Sequence, residues 1–559
     1  MLVPVAPSVY RSPDGKDIRW AGFFTGHRVL DEGRVAGTAQ QLLGMDCASV
    51  AEHAKRELSP YYADSAGKFP ALLLHSATPT LRSLDGDLAS LVADQVPHDV
   101  ATYVEARSVF LGAAADLAVG RTAPWAEAVG HWRIPAVDVG DVEHYYLSHA
   151  LLTLAIDHER GADTPLGRII GWLRDRPEAV IRLYALDLEM QIFLLWLRRK
   201  TGRHRLVTDA NSPAVATRWN RKAHLHPTVE AARTLAEEGL SADALLIAEQ
   251  LLSEAHQRLG LRIPVLPGYT VPRAGVSREA FVAGVLDAAE LLRTRYGLRA
   301  AALKPSEAGD GARIVGDLDL TDTARLAAEA RAAHPMGDDC LLEAWVDFLP
   351  AELDGARLPV VPSGQFRYGL VADGLTLQTL DGFSWRGNSS LDESGWVTLG
   401  LPGEAYRTIR EALHAIRAAF VGPESLRDGS HQGLATGGVD FAVGSVGGRF
   451  GDRLLVGAMD FNLSSHGSEY LRTFQDLARR EGVSDRYAAT RVFRPAATHT
   501  LARMEATAAA LAPPGSMMRA VACVPERWGM VAATGPDPGT AAHRTEQLLA
   551  TLLEAHHPR

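Results

Sequence analysis

The length of the chain is the feature that most constrains its fold, because 559 residues exceed what a single hydrophobic core can organise. Hydrophobic residues make up 47% of the chain and charged residues 22%, which are the proportions of an ordinary globular protein. A disordered or fibrous chain is therefore excluded. We expect two or three domains, each with a core of its own.

The net charge of −10 narrows the classes of partner. A mildly acidic chain is poorly suited to bind a nucleic acid or an anionic membrane surface, because both are negatively charged. The longest apolar run, residues 192–197, is much shorter than the roughly 20 residues that cross a bilayer. Charged residues such as Arg11 and Lys16 also interrupt the first segment before an apolar run long enough for a secretory signal. We therefore expect neither nucleic acid nor membrane as a partner.

The cysteines indicate the redox environment. Cys47, Cys340 and Cys523 are far apart and form no CxxC pair. This spacing excludes a disulfide framework and a thiolate zinc site. A reducing compartment, the cytoplasm, is the expected location.

Lysine is scarce in this chain, since 51 of the 57 basic residues are arginine. The lysine ammonium is a compact, strongly hydrated charge, whereas arginine presents a planar fork. Each remaining lysine therefore raises the question of whether an ammonium is needed at that place. The lysines are Lys16, Lys55, Lys68, Lys200, Lys222 and Lys304.

Short apolar segments alternate with helical patterns, which predicts an α/β fold. A buried strand is expected at Ala71–Leu74, and a helix over residues 189–200 is closed by Gly202. Ser277 and Gly297 have the residue types and spacing of the N-cap and C-cap of a second helix.

After residue 348 the pattern becomes rich in strands. A hairpin is predicted around Asp373 and Gly374, because a turn dipeptide separates two partly alternating segments. Helices and a further pair of strands follow up to the C-terminal helix.

A first group of candidate residues lies around Lys304, which ends a short apolar strand. The loop that follows contains Gly309 and Gly311 and leads into another strand. Glycines let backbone N–H groups approach a phosphate, and a lysine at the strand end supplies a mobile positive charge for it. An ordinary hairpin with a solvated lysine is the alternative.

A second group is the apolar segment DCLLEAWVDF, which carries Glu343 and turns outward at Asp347. If this strand lies at a sheet edge, its free N–H and C=O groups can bind the rim of an adenine. An acid just beyond the strand can hold the ribose hydroxyls. The alternative is an acid that simply ends a strand.

A third group lies on two strands joined by a glycine-rich turn. Asp460 and Asn462 are two residues apart, so they face the same side of a strand, and a hairpin register can bring Asp440 beside them. Side chains with oxygen atoms that converge in this way favour a hard cation, and Mg²⁺ held by carboxylates and substrate phosphates is the natural occupant. Two unrelated acids at strand ends are the alternative.

The order of these three groups resembles the ATP-grasp superfamily, from about residue 203 to the C-terminus. The segments LPVVPSGQFRYGLVADG, MDFNLSSHG and GMVAATGPDPGTAAHRTEQL further resemble the pheganomycin-type peptide ligases. The resemblance implies an α/β (α+β) architecture with an N-terminal pre-ATP-grasp region over residues 1–220. An ATP-grasp lid subdomain over residues 221–343 and a core subdomain over residues 344–559 would then clasp ATP.

The resemblance also implies residue roles. Lys304 and Lys222 would bind the nucleotide phosphates, with Gly309 and Gly311 in the mobile phosphate loop. The adenine edge would be Glu343, Ala344, Trp345 and Val346. The ribose would bind Asp347, with Glu352 and Asp354 as competitors, and Mg²⁺ would bind Asp440, Asp460 and Asn462.

Two positions depart from the family pattern. Asp460 stands where members usually have Glu, which shortens the reach to a metal. Ser464 stands where peptide ligases have an arginine that steadies the acyl phosphate, and Arg367 or Arg386 could replace that charge in the catalytic site.

The implied reaction uses ATP and Mg²⁺. A substrate carboxylate attacks the γ-phosphate to give an acyl phosphate and ADP, and an amine then displaces phosphate to leave an amide. The partners would be a small-molecule or peptide carboxylate and an amine, in specialised metabolism. A small-molecule kinase and a nucleotide-binding protein without turnover are the alternatives, and the oligomeric state stays open, a homodimer included.

Overall fold

The computed structural model describes most of the chain. The described residues are 3–6, 9–11, 15–19, 26, 28–60, 69–79, 81–93, 95, 97, 99–141, 143–212, 214–306, 313–337, 339–421 and 433–554. Helices and strands are mixed throughout this part of the chain, which confirms the predicted α/β fold class.

The helices are α1 (Glu32–Leu43), α2 (Cys47–Glu57), α3 (Leu81–Val92), α4 (Val100–Phe110), α5 (Ala126–Trp132), α6 (Leu147–Glu159), α7 (Leu166–Arg174), α8 (Leu188–Thr201), α9 (Val229–Arg233), α10 (Ala242–Gln250), α11 (Glu254–Leu259), α12 (Arg278–Tyr296), α13 (Thr323–Ala333), α14 (Glu393–Thr398), α15 (Gly403–Val421), α16 (Ser468–Arg480), α17 (Leu501–Leu511) and α18 (Pro538–Glu554). No described helix combines the length and the apolar character needed to cross a membrane.

The strands are β1 (Val3–Ala6), β2 (Val9–Arg11), β3 (Asp17–Arg19), β4 (Leu58–Pro60), β5 (Ala71–Leu74), β6 (Leu117–Gly120), β7 (Ala136–Asp138), β8 (Val180–Leu183), β9 (Leu206–Asp209), β10 (Gly268–Val271), β11 (Ala300–Pro305), β12 (Val315–Asp319), β13 (Cys340–Ala344), β14 (Asp347–Phe348), β15 (Pro350–Leu353), β16 (Ala356–Pro359), β17 (Pro362–Arg367), β18 (Leu370–Val371), β19 (Leu375–Asp381), β20 (Ser384–Leu391), β21 (Gly437–Ser445), β22 (Leu455–Asn462), β23 (Tyr487–Phe493), β24 (Met518–Val524) and β25 (Trp528–Gly535).

The N-terminal sheet is parallel, in the order β4-β9-β8-β5-β6-β7. Its central strand β5 is the predicted Ala71–Leu74, and all four side chains are buried, as expected for a parallel strand covered on both faces. Helix α8 shares one buried hydrophobic core with the strands of this sheet. It ends at Gly202 in the left-handed conformation, with φ 71°, which confirms the predicted C-cap.

The middle sheet is antiparallel, in the order β10-β13-β11-β12, and α12 packs against it. The Ser277 side chain accepts a hydrogen bond from the Ala280 N–H, and Gly297 has φ 67°, so both predicted caps of α12 are confirmed. The prediction that β13 is an edge strand is wrong. It pairs with β11 on one side and β10 on the other. The sequence does not signal this second partner, because β10 is a short strand between two proline-rich segments.

The large sheet has the order β14-β21-β17-β19-β20-β23-β25-β24, with β18 paired to β17 and β22 to β21. The hairpin predicted around Asp373 and Gly374 is displaced. The chain reverses at Tyr368 and Gly369, both with positive φ (54° and 71°), and the short strand β18 follows before β19 begins. A turn with two residues of positive φ matches the twist of a tight hairpin. In a sequence, Asp-Gly is a stronger signal of such a turn than Tyr-Gly, which is why the turn was predicted at Asp373 and Gly374.

The two faces of the large sheet differ sharply in polarity. One face carries apolar side chains such as Phe366, Leu377 and Val439, which pack with residues of α15. The other face carries a row of polar residues placed opposite one another by the strand register, namely Asp460, Asp440, Ser363, Thr376 and Ser390. Because side chains alternate along a strand, this polar row has to face away from the apolar core.

The N-terminal sheet is joined directly to the large sheet through Asn211. The Asn211 amide nitrogen donates to the carbonyl oxygens of Thr436 and Leu463, each at 2.7 Å. Its oxygen accepts from the backbone N–H groups of Ala435 (2.7 Å) and Thr436 (2.9 Å). One buried side chain thus fixes the carboxyl end of the parallel sheet beside β21 and β22.

The division into residues 1–220, 221–343 and 344–559 remains a prediction. The N-terminal, middle and large sheets fall almost wholly within these segments in that order, with Ala344 of the middle sheet just beyond the second boundary.

Candidate functional site

Lys304 and Glu343 form a buried charged pair in the middle sheet. The Lys304 ammonium, on β11, contacts one oxygen of Glu343 on β13. The other oxygen lies 2.9 Å from Nε2 of His226, which assigns the donating N–H to that ring nitrogen. Burial alone would raise the pKa of Glu343, but Lys304 and His226 outweigh it and hold the pKa below its usual value. Glu343 is therefore a buried carboxylate that fixes the lysine.

Lys222 lies next to the same strand end. It begins a 3₁₀ turn (Lys222–Leu225), and its backbone N–H donates to the carbonyl of Ser306, the residue after β11, at 3.2 Å. The Ser306 hydroxyl accepts from the N–H of Ala223, also at 3.2 Å. The Lys222 ammonium reaches across to the large sheet and lies 2.9 Å from Oδ1 of Asp460. The chain thus brings its two candidate nucleotide lysines to adjacent elements.

The candidate metal residues converge on the polar face of the large sheet. Asp440 and Asp460 are directly opposite each other in the β21–β22 pair, in a register that the sequence allows and that has an irregularity next to Asp440. The Asn462 amide donates to Oδ2 of Asp440 at 3.0 Å. Burial and the neighbouring Asp460 raise the pKa of Asp440 to about 6, although Lys222 opposes the shift. Negative charge is therefore in excess here even with an ammonium present, as a site for a divalent cation requires.

This donor set is incomplete without a substrate. Within the described residues, no group of three or more His, Cys, Asp or Glu side chains is arranged to hold a metal ion. Two carboxylates and one amide oxygen leave at least half of an octahedral shell to other ligands, which suits Mg²⁺ bound together with nucleotide phosphates.

The predicted adenine edge is only partly available. The N–H of Ala344 donates to the carbonyl of Pro267 at 2.8 Å, and the N–H of Trp345 donates to the carbonyl of Ala300 at 3.1 Å. The expectation of free N–H groups is therefore wrong for these two residues, because β13 has partners on both sides.

The two residues after this segment connect the middle sheet to the large sheet. Val346 is buried beside Leu266 and Ala442, which form a small apolar cluster. Asp347 is exposed on β14, which pairs with β21. It borders a cleft of about 610 Å³ that Trp345 also lines, which leaves room for a sugar at this position.

The two arginines proposed for the catalytic site lie in different surroundings. Arg367, at the end of β17, bonds Oδ2 of Asp476 at 2.9 Å and faces the N-terminal sheet. Arg386 is half-exposed on β20 and bonds Asp381 at 3.1 Å near the tip of the β19–β20 hairpin. The structure thus brings Arg367, but not Arg386, to the buried polar region.

Sequence reasoning missed Arg472, a buried arginine on α16. Its guanidinium donates to the side-chain oxygens of Gln365 (2.7 Å) and Gln475 (3.2 Å). Burial and the nearby charges of Arg367 and Arg479 lower the pKa of Arg472 to about 10. In an arginine-rich chain nothing in the sequence separates this residue from solvated arginines. His226 was also missed, because a single histidine carries no motif.

Gly309 and Gly311 lie outside the described residues, so their predicted place in a phosphate loop stays a prediction. The described elements therefore bring together Lys222, Lys304, Glu343, Asp440, Asp460 and Asn462 at the junction of the middle and large sheets.

No protein family model matches the chain, and no curated protein sequence matches it. Solved structures do match. The ADP complex of an N5-carboxyaminoimidazole ribonucleotide synthetase is 13% identical, with 81% of this chain and 95% of that chain covered, at a TM-score of 0.42. D-cycloserine synthetase is 16% identical, with 54% and 83% covered, at 0.29.

A third solved structure is the biotin carboxylase domain of the Hydrogenobacter thermophilus 2-oxoglutarate carboxylase. It is 12% identical, with 80% of this chain and 87% of that chain covered, at a TM-score of 0.43. The interpretation of the site therefore rests on its own residues and not on these similarities.

Proposed function

We propose that this protein is an ATP-grasp ligase that joins a carboxylate to an amine through an acyl phosphate, with release of ADP and phosphate. The observation that carries the proposal is the convergence of two buried lysines with two opposed aspartates. The Lys222 ammonium contacts Asp460, and the Lys222 N–H bonds the carbonyl of Ser306, which is two residues after Lys304. Buried ammonium groups beside a carboxylate pair suit a bound polyphosphate and its cation.

Lys304 would bind nucleotide phosphate while Glu343 holds it in place. An ammonium has three N–H donors, and Glu343 occupies one of them. Because His226 holds the other Glu343 oxygen, the carboxylate cannot swing away with the lysine. Lys222 would bind a second phosphate oxygen and leave Asp460 for the cation.

Asp440, Asp460 and Asn462 would hold Mg²⁺, which when bound neutralises charge on the transferring phosphoryl group. Ser363 and Gln378 donate hydrogen bonds to Asp440, and these bonds lower its pKa against the effect of burial. The contribution of the protein is positioning and electrostatic stabilisation, and the reaction needs no nucleophilic side chain. Burial raises the pKa of Cys523 to about 12, which removes that thiol as a nucleophile at neutral pH.

The remaining sequence expectations are part of the same proposal. Glu343 through Val346 would border the adenine, and Asp347 would bind the ribose. Arg367, which bonds Asp476 in the buried polar region, would replace the positive charge that peptide ligases place at the acyl phosphate. The resemblance of several segments to peptide ligases supports a product in specialised metabolism.

The test measures ADP release by the purified full-length protein with Mg-ATP and panels of acids, with and without amines. Release that needs both an acid and an amine, with an amide detected by mass spectrometry, is the expected result. Release with the acid alone and a stable phosphorylated product would identify a kinase instead. Nucleotide binding without turnover under any condition would refute the ligase.

Two variants control this assay. Asp440→Asn should abolish Mg²⁺-dependent release, because it removes one of the two opposed carboxylates. Arg407→Gln is the matched surface control, since Arg407 is exposed and bonds only Glu393 among the contacts described for its side chain. Equal loss in both variants would refute the assignment of Asp440.

A further inference from the structure

Asparagine is rare in this chain, and three of its four copies meet around the end of one strand. The sequence contains only Asn211, Asn220, Asn388 and Asn462. Asn462 is the last residue of β22 and a candidate ligand of the cation. The residue after it, Leu463, is bonded by the side chains of Asn211 and Asn220. This concentration raises the question of what the two outer asparagines do for Asn462.

The bonds to Leu463 replace the strand pairing that β22 loses at its end. The ladder between β21 and β22 ends at the Gly438–Asn462 pair, so Leu463 lies just beyond it. The Leu463 N–H donates to Oδ1 of Asn220 at 2.7 Å. The Leu463 carbonyl accepts from the Asn211 amide, also at 2.7 Å. Both backbone groups of this completely buried residue are therefore satisfied by asparagine side chains.

The peptide plane between Asn462 and Leu463 is held from two sides. Gly437 has φ 145°, and a Cβ atom there would lie 3.0 Å from the carbonyl oxygen of Asn462 and 3.1 Å from Cα of Leu463. Strand β21 therefore approaches the oxygen side of this plane closely. Asn220 bonds the N–H of the same plane. Because a peptide unit is planar and rotates as a whole, the Asn220 bond fixes the backbone at Asn462 as well as at Leu463.

The orientation of this plane matters for the candidate metal ligands. The Asn462 amide nitrogen donates to Oδ2 of Asp440 at 3.0 Å. An amide nitrogen is a donor only, so the amide oxygen is the atom that remains to bind a cation. A rotation of the peptide plane would carry the Asn462 side chain away from Asp440 and separate the two candidate ligands.

The segment that carries Asn220 also carries Lys222. The Lys222 ammonium lies 2.9 Å from Oδ1 of Asp460, and its backbone N–H donates to the carbonyl of Ser306, just after β11, at 3.2 Å. Residues 220 and 222 thus contact residues 463 and 460, at two points near the end of β22. One short segment therefore holds a candidate phosphate lysine and the backbone beside a candidate metal ligand.

We propose that Asn220 is a positioning residue of the metal site. It accepts the Leu463 N–H and so keeps Asn462 beside Asp440, with the Asn462 amide oxygen available to Mg²⁺. The inference rests on the proposed ligase function and adds to it a residue that acts on the cation through Asn462. Groups that orient a metal ligand affect the affinity for the metal although they do not touch it.

The experiment removes the acceptor at residue 220 and keeps the size of the side chain. In Asn220→Leu the Leu463 N–H loses its partner, whereas Asn220→Asp keeps an oxygen acceptor. Mg²⁺ binding to the ADP complex of the full-length protein is measured by calorimetry. We expect Asn220→Leu to weaken Mg²⁺ binding roughly tenfold or more, the usual effect of losing a group that orients a metal ligand. Asn220→Asp should keep most of the affinity.

A second measurement needs no metal. Hydrogen exchange is followed by mass spectrometry in a peptide that spans residues 460–466 of the metal-free protein. The Leu463 N–H should exchange faster in Asn220→Leu than in the wild type, and Asn220→Asp should restore the slower exchange. Unchanged exchange in Asn220→Leu would show that the bond does not hold this segment, and it would overturn the inference.

The matched control is Asp46→Leu. Asp46 is exposed at the N-cap of α2 and accepts the Ser49 N–H at 2.7 Å, so this variant loses a bond of the same kind and length in an element outside the site. It should lower the Tm and leave Mg²⁺ binding unchanged. Equal loss of Mg²⁺ affinity in Asp46→Leu and Asn220→Leu would reduce the effect to general stability and overturn the inference.

A double variant tests whether Asn220 acts through Asn462. Asn462→Ala removes the candidate ligand, so the addition of Asn220→Leu should weaken Mg²⁺ binding no further. Losses that multiply fully in the double variant would mean that the two residues act independently, which contradicts the proposed role.

The outcomes separate this inference from the proposed function. Wild-type Mg²⁺ affinity in Asn220→Leu, together with a loss in Asp440→Asn, would overturn the inference and leave the ligase in place. Mg²⁺ binding that depends on Asn220, without ADP release for any acid and amine, would support the positioning role and refute the ligase. Absence of Mg²⁺ binding by the ADP complex of the wild type would overturn both.

Discussion

Replacement of Lys304 by methionine tests both the stability and the function of the site. Methionine keeps most of the side-chain volume but removes the charge, which leaves Glu343 with His226 as its remaining partner. Glu343 is completely shielded from solvent on the central strand β13. Removing one partner of such a buried pair typically costs about 3–5 kcal/mol. Lys304→Met should therefore lower the free energy of unfolding by this amount as well as weaken nucleotide binding.

A double-mutant cycle separates the two effects. The wild type, Lys304→Met, Glu343→Gln and the double variant are unfolded in urea, and ADP binding is measured by calorimetry. The double variant buries no unpaired charge, so we expect it to be more stable than Lys304→Met by about 2 kcal/mol or more. Both variants that lack Lys304 should bind ADP at least tenfold more weakly, whereas Glu343→Gln should keep most of the affinity.

Two results would contradict this reasoning. An unchanged urea midpoint in Lys304→Met would mean that the pair is not buried as described. Wild-type ADP affinity in the double variant would remove Lys304 from the phosphate site, whatever its effect on stability.

Three further predictions concern the pH dependence of stability, the contact between β14 and β21, and the metal. Burial lowers the pKa of His75 to about 3 and that of His466 to about 4. Below pH 6.5 the unfolded chain therefore binds more protons than the folded chain does. The free energy of unfolding should fall by about 2 kcal/mol per histidine from pH 7 to pH 5. Urea unfolding of the His75→Gln/His466→Gln variant should show a much weaker pH dependence. A Cβ atom on Gly444 would lie 2.3 Å from the carbonyl oxygen of Asp347, so Gly444→Ala should displace β14, cost about 1–3 kcal/mol and weaken ADP binding in calorimetry. Asp440→Asn should reduce the Mg²⁺ affinity of the ADP complex at least tenfold in a calorimetric titration, and unchanged affinity would exclude Asp440 as a ligand.

Local signals in the sequence predict much of the local structure. Ser277 and Gly297 bound α12 because a cap needs only its own residue type and the adjacent helix. The sequence allows a hairpin register that brings Asp440 beside Asp460 and Asn462, but their observed pairing also needs an irregularity in the register between Asp440 and Phe441, which the alternating pattern does not signal.

Features that depend on distant partners were not predictable. The edge position of β13 was wrong, since its second neighbour is β10, about 70 residues earlier in the chain. The bond between Arg472 and Gln365 joins residues 107 positions apart, and neither residue type signals the other. Local propensity does not encode which surfaces meet, so the buried arginines could not be separated from the many solvated ones.

The four hydrogen bonds of Asn211 have a consequence for how the chain folds during synthesis. They connect residues 224 to 252 positions apart, so the joint between the N-terminal and large sheets has to wait for the second half of the chain. At the usual 5–20 residues per second, a ribosome needs roughly 10–50 s to reach residue 463 after residue 211. During this interval the N-terminal sheet can complete its own core while its carboxyl edge still faces water. A nascent chain arrested before residue 435 should therefore expose Asn211 to solvent, because none of the groups that bond its side chain has yet been synthesised.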